Sequence, residues 1–106
     1  MIGLDMDGVY GAGFRPDTND FIIVTGRNIG EYLKTVEECH PHPVYCRPFG
    51  HTGDCYAAGS WKAYIINIAG LTDFYEDNDI QANIIKTNCL NCKVHKVSNG
   101  KYLGLW

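Results

Sequence analysis

Apolar residues in this chain come in short runs of two kinds. Residues 1–6 are a brief apolar stretch followed by Gly8, Gly11 and Gly13. That order predicts a strand running into a glycine-rich loop. Residues 21–25, Phe-Ile-Ile-Val-Thr, are apolar or β-branched without alternation and stop at Gly26. A strand with no polar face suits the interior of a parallel sheet. Residues 28–39 then carry Ile29, Tyr32, Leu33 and Val36 at helical spacing. Asn28 suits the cap of that helix, and Pro41 and Pro43 end it. Residues 44–47 read as a third strand and 51–60 as a polar loop. Residues 61–69 put Trp61, Tyr64, Ile65 and Ile68 on one helical face, with Gly70 as the stop. A short strand over 72–75 precedes the acidic run Glu76-Asp77-Asn78-Asp79, and 80–87 can form a short helix. Residues 93–97 read as the last strand, before a Ser98-Asn99-Gly100 turn. Strands that alternate with helices predict an α/β fold, a three-layer α/β/α sandwich around a central parallel sheet. Sites in such sheets lie beyond the C-terminal ends of the strands.

Composition narrows this picture. The 106 residues suit one domain, and 45% apolar with 20% charged residues suits a globule rather than a disordered chain. The N-terminus has neither the basic start nor the apolar stretch of a signal peptide. The longest nearly apolar run, 63–71, is far below the ~20 residues that span a bilayer. The expectation is a soluble, cytoplasmic protein without a membrane partner, its five cysteines reduced. Cys89-x-x-Cys92 contains zinc-ligand types, but one such pair without a second at matched spacing reads as ordinary thiols. Charge is uneven. Residues 1–80 hold all twelve acids and five of nine bases, a local charge of −7, whereas residues 81–106 hold four lysines and no acid. A basic tail of this kind can touch an anionic partner such as nucleic acid, although scattered lysines are usually a solvated surface.

The chemistry gathers at the predicted strand ends. Asp5 and Asp7 follow the first strand, and Thr25, Gly26 and Arg27 end the second. Lys62 opens the second long helix, and Glu76, Asp77 and Asp79 follow the fourth strand. In a parallel sheet these groups converge on one edge. So many carboxylates in one cleft need protons or a cation between them. Oxygen donors of that kind suit Mg²⁺.

These motifs, in this order, resemble those of the haloacid dehalogenase superfamily of phosphatases. Asp5-Met6-Asp7-Gly8-Val9 is similar to the first motif and Val24-Thr25-Gly26-Arg27 to the second. Lys62 is placed like the third-motif lysine, and Phe74-Tyr75-Glu76-Asp77-Asn78-Asp79 is similar to the acidic fourth motif. The likeness spans residues 5–79, about seven-tenths of the chain. It implies a Rossmann-like core and a phosphatase that works through an aspartyl-phosphate. Asp5 would be the nucleophile and Asp7 the general acid and base. Thr25, Gly26, Arg27 and Lys62 would bind the phosphorylated substrate, and Asp5, Asp7 (through its carbonyl) and Asp77 would hold Mg²⁺. An ion pair within the protein is an equal reading for Arg27. Glu76 and Asp79 are either ligands or supports.

The short gaps between the motifs leave no room for an inserted cap domain, with residues 11–19 as a small flap beside the site. The resemblance then implies a large substrate, such as a nucleic-acid end or a phosphoprotein. Two rivals remain at this point. One is a non-catalytic module of the same fold that binds phosphate or nucleic acid. The other is a phosphotransferase.

Overall fold

The computed structural model describes residues 1–48 and 54–106. Six strands form one sheet in the order β3-β2-β1-β4-β5-β6: β1 (Ile2–Leu4), β2 (Phe21–Asn28), β3 (Val44–Arg47), β4 (Asp73–Glu76), β5 (Lys93–Ser98) and β6 (Lys101–Leu105). The first five are parallel. The sixth is antiparallel to β5 and forms the edge. The sequence pattern had stopped at the turn before it. Strand β6 carries Tyr102, Leu103 and Leu105 exposed, so no single buried face announced it.

The apolar run that begins β2 is buried on both sides, which is why it lacks alternation. Ile22 and Val24 pack with Phe74 and Val94 beneath helices α2 (Cys55–Ala69) and α3 (Asp79–Asn88). Phe21 and Ile23 pack with Leu4, Val9 and Cys39 on the opposite face, under the Met6–Tyr10 turn and helix α1 (Tyr32–Cys39). Helices therefore cover both faces of a mostly parallel sheet.

Two helical expectations change. Asn28 caps a short turn over Ile29–Glu31 by accepting the Gly30 N–H, and α1 begins only after it. Helix α1 buries Thr35 and Cys39 instead of the predicted apolar stripe. Leu33 is 81% exposed and Ile29 59%. The reason is Thr35. It donates to the Glu31 carbonyl and accepts from Arg27, and that places its side of the helix inward. Helix α2 starts six residues earlier than its apolar pattern, because Asp54 caps it by accepting the Ala57 N–H. Its buried face is Ala58, Gly59, Lys62, Ala63, Ile65 and Ile66, whereas Tyr64 and Ile68 face solvent. Of the loop predicted over 51–60, residues 51–53 lie outside the described residues, and Cys55 onward is helix.

The connections position the site. From β1 the chain steps outward to β2 and β3. It then returns through α2 to β4, on the other side of β1. The direction of winding thus reverses between β1 and β4, and the carboxyl ends of those two strands flank a crevice. Among the described residues, no helix is long and apolar enough to cross a membrane.

Replacing the exposed Leu33 tests the unexpected face of α1. Leu33→Ser should change stability by less than about 0.5 kcal/mol, as at other exposed positions. Phe74→Ala, at a fully buried position, should cost about 3–5 kcal/mol. Chemical denaturation of both variants measures the contrast.

Candidate active site

Strand β1 ends at Leu4, and Asp5 turns the chain. Its carboxylate accepts the Met6 N–H at 2.9 Å, and its own N–H donates to the Tyr75 carbonyl at 3.0 Å. The first tie fixes the side chain at the strand end and the second fixes it against β4. Gly8 follows with φ at 82°, where side-chain-bearing residues are strained. A Cβ at Gly8 would also overlap the Asp77 carboxylate. The turn after β1 and the end of β4 therefore touch through a position that only glycine fills.

Lys62 reaches this corner from the middle of α2. Its ammonium donates to Asp5 Oδ1 at 2.9 Å and to Glu76 Oε1 at 2.7 Å, with all three side chains buried. The other oxygen of Glu76 accepts the N–H groups of Asp77 and Asn78 at 3.1 and 3.2 Å. Glu76 is thus occupied as a support that anchors Lys62 and shapes the turn after β4. The approach of α2 depends on Gly26, where a Cβ would stand 2.7 Å from that of Ala58. Ala58 lies one helical turn before Lys62, so this close contact sets where the lysine enters.

Thr25 is buried at the end of the apolar run of β2, and its hydroxyl accepts the Arg27 N–H at 3.1 Å. The hydroxyl keeps a donor of its own. Arg27 forms the ion pair that was one of its two readings. It donates to both oxygens of Asp7, at 2.8 and 3.1 Å, and also to Thr35. The Asp7 side chain is exposed and turned toward Arg27, away from the Asp5 corner.

Asp5, Asp7, Thr25, Gly26, Arg27, Lys62 and Asp77 all line one cleft of about 240 Å³. Glu76 and Asp79, read from the sequence as ligands or supports, do not line it, and Asp79 accepts the Ile80 N–H instead. Asp54, Ala58, Asn78 and Gln81 also line it and were not foreseen. Asp54 and Asn78 are the caps of α2 and α3, so the positive ends of both helix dipoles face the cleft. Asn78, close behind the predicted strand over 72–75, carried a capping signal that could have been used, whereas Asp54 lay inside a predicted loop. The oxygen of Gln81 is buried with no hydrogen-bond partner among the described residues. Residues 11–19 do not line the cleft.

Electrostatically the corner is unbalanced. Burial, reinforced by Glu76 and opposed by Lys62, pushes the Asp5 carboxyl up to about 7. Burial, then the charge of Asp5, pushes Asp77 up to about 6. For Lys62, burial alone would lower the value, but Asp5 and Glu76 together carry it above the ordinary lysine range. Three carboxylates with oxygens within 4.8 Å of one another thus share a single ammonium. This donor set fits a divalent cation, which would remove the excess charge. Oδ2 of Asp5 and the carboxylate of Asp77 are the available donors, since Asp5 Oδ1 and both oxygens of Glu76 and of Asp7 are engaged. Cys89 and Cys92 belong to no cluster of three metal-ligating groups among the described residues.

The four tail lysines divide. In the β4–β5 register Lys93 lies opposite Asp73, at the far end of the strands, whereas Lys96 lies opposite Glu76, at the end nearer the cleft. Lys86 donates to the Trp106 carbonyl, and Lys101 begins the edge strand. None of the four lines the cleft.

Comparison of the chain with protein-family models, curated proteins and solved structures gives no match.

Two measurements probe the charge imbalance. Carboxyls raised in the folded state add stability below their unfolded value, and it is lost as pH rises through about 6 to 7. A cation must displace those protons. The rise in melting temperature on adding Mg²⁺ should therefore be small at pH 5 and grow up to pH 8. A rise that is flat with pH would contradict this account. Separately, Gly8→Ala should push the Asp77 carboxylate aside. It should weaken divalent-cation affinity about 10–100-fold, the range for disturbing a group that orients a metal ligand. Titration calorimetry reads the change.

Proposed function

We propose that this protein is a Mg²⁺-dependent phosphatase of the haloacid dehalogenase type. The observation that carries the reading is the Asp5–Lys62–Glu76 chain, beside Asp77, at the carboxyl end of β1. A carboxylate held by a buried ammonium in a phosphate-sized cleft is what a covalent phosphoryl acceptor needs.

In this reading both donors to Asp5 address Oδ1, and Oδ2 attacks phosphorus to give an aspartyl-phosphate. Lys62 opposes protonation of Asp5 before attack and neutralises the developing phosphoryl charge afterwards. The Thr25 hydroxyl and the N-termini of α2 and α3 bind the phosphoryl oxygens. Asp7 protonates the leaving oxygen, then takes a proton from the attacking water. Arg27 holds Asp7 outward by both oxygens, so Asp7 must leave that pair to act. Arg27 thus parks the acid and has no free fork for substrate. Asp5 and Asp77, with the Asp7 carbonyl, would hold Mg²⁺. The cation supplies charge neutralisation to the phosphoryl group when bound.

The segment between Asp7 and β2 packs on the far face of the sheet from α2, so the reading includes no cap over the cleft. A substrate larger than the cleft then extends into solvent. Nucleic-acid ends and phosphoproteins both fit that description. A binding module of the same shape would not require a buried lysine aimed at Asp5, which favours catalysis. Transfer to an acceptor other than water uses the same first step.

The test is a Mg²⁺-dependent screen of phosphate release from small esters, 3′- and 5′-phosphorylated oligonucleotides and phosphopeptides. Asp5→Asn should lower kcat by several orders of magnitude with the fold retained, as expected for loss of a covalent nucleophile. Near-normal phosphate release by the purified variant would refute the assignment.

A further inference from the structure

A second cavity, of about 420 Å³, lies outside the cleft and is lined by Phe14, Arg15, Pro16, Asp17, Tyr75 and Tyr102. It is larger than the cleft and within the usual range of small-molecule sites, whereas the cleft has room for little beyond a phosphoryl group and an ion. Its walls are rings held rigidly. Tyr75 stacks on His95, with centroids 4.4 Å apart and planes 13° apart, and meets Phe14 at 4.9 Å. Tyr102 Oη lies 2.9 Å from His95 Nδ1, and His95 Nε2 lies 2.8 Å from Asp73 Oδ1. With Nε2 donating to Asp73, Nδ1 accepts, so Tyr102 donates to the histidine and keeps its lone pairs for a ligand. Arg15 lies over the Tyr10 ring and donates to the carbonyls of Tyr10 and Phe14, which fixes the strap that carries Phe14. An Asp–His–Tyr chain of this kind costs ordering entropy, and here its effect is to hold one half-exposed ring upright on an edge strand.

The position matters as much as the chemistry. Tyr75 immediately precedes Glu76, and its carbonyl accepts the Asp5 N–H. The cavity and the cleft are therefore on the two faces of the same strand end. A group bound at Asp5 and a group bound at Tyr75 are separated only by the tips of β1 and β4.

We propose that this aromatic cavity binds a nucleobase, so that the substrate of the Asp5 cleft is a nucleotide or the end of a single-stranded nucleic acid. The inference about substrate rests on the phosphatase reading, but base binding does not. Planar rings stack on aromatic side chains regardless of sequence. Asp17 and the Tyr102 oxygen accept from a base N–H, and Arg15 brings positive charge to the same wall. An acyl chain would leave these polar groups unanswered. A base needs both the apolar faces and the polar edge.

The probe is the unphosphorylated tetranucleotide d(AAAA), titrated into the whole protein by calorimetry without metal. Wild type should bind it, and Phe14→Ala and Tyr102→Ala should each weaken binding about 5- to 150-fold, the worth of a base–ring stack. Tyr102→Phe keeps the ring and loses the hydroxyl, with its bond to His95 and its acceptor for the base. It should lose less than about tenfold, and it guards against misfolding of the alanine variants. No binding of d(AAAA) by wild type overturns the proposal, and so does equal binding by wild type and both alanine variants. Tighter binding of a tyrosine-containing tetrapeptide than of d(AAAA) also overturns it. Phosphate release from acetyl phosphate, measured alongside, separates the two readings. Its absence with d(AAAA) still bound refutes the phosphatase and upholds the base site. Its presence with no d(AAAA) bound does the reverse.

Discussion

A buried ammonium between two buried carboxylates organises this protein. Lys62 is 1% exposed and bonds both Asp5 and Glu76. Taking three charged groups out of water is costly, and only close geometry offsets that cost. Asp5 must therefore sit at the end of β1, Glu76 at the end of β4, and α2 must cross above both. Each requirement is met by a separate local device. The Met6 N–H holds Asp5, the turn after β4 holds Glu76, and the Gly26–Ala58 contact lets α2 come close.

The same arrangement leaves charge unsatisfied. Asp77 adds a third carboxylate that Lys62 cannot balance; burial first, and then a neighbouring carboxylate, raises the carboxyls of both Asp5 and Asp77. Such a corner is stable with protons or with a cation. The two helix N-termini add positive field on the remaining side, so the cleft offers places for a cation and an anion side by side. That pairing is the electrostatic basis of the phosphatase reading, and the Arg27–Asp7 ion pair lies at the rim of the cleft.

The two faces of the sheet differ at the tip of β4. On one side of the β4 tip the side chains are polar and ionic, and on the other they are stacked rings. Alternation along β4 produces this directly. Asp73 and Tyr75 point to one face, and Phe74 and Glu76 to the other. A four-residue strand thereby serves the core, the cleft and the aromatic cavity.

The order and type of most elements were legible in the sequence, because unbroken apolar runs and helical spacing report burial on two faces or on one. The convergence of Asp5, Thr25, Arg27 and Asp77 was legible too, because a parallel sheet sends the ends of its strands to one edge, whereas Lys62, expected at the start of its helix, arrives from the middle of α2. What the sequence could not decide was which partner each charged or apolar group meets. Leu33 and Ile29 fit a buried stripe by spacing, but Thr35 is the residue that Arg27 draws inward. Glu76 read as one more acid in an acidic run until α2 brought Lys62 against it. Strand β6 carried no periodicity, since pairing with β5 rather than burial makes it a strand. Tyr75, His95 and Tyr102 stand far apart in sequence or across a turn, and only the register of three neighbouring strands brings them together. Spacing along a chain encodes local geometry, whereas contacts between elements depend on distances that only the packed fold sets.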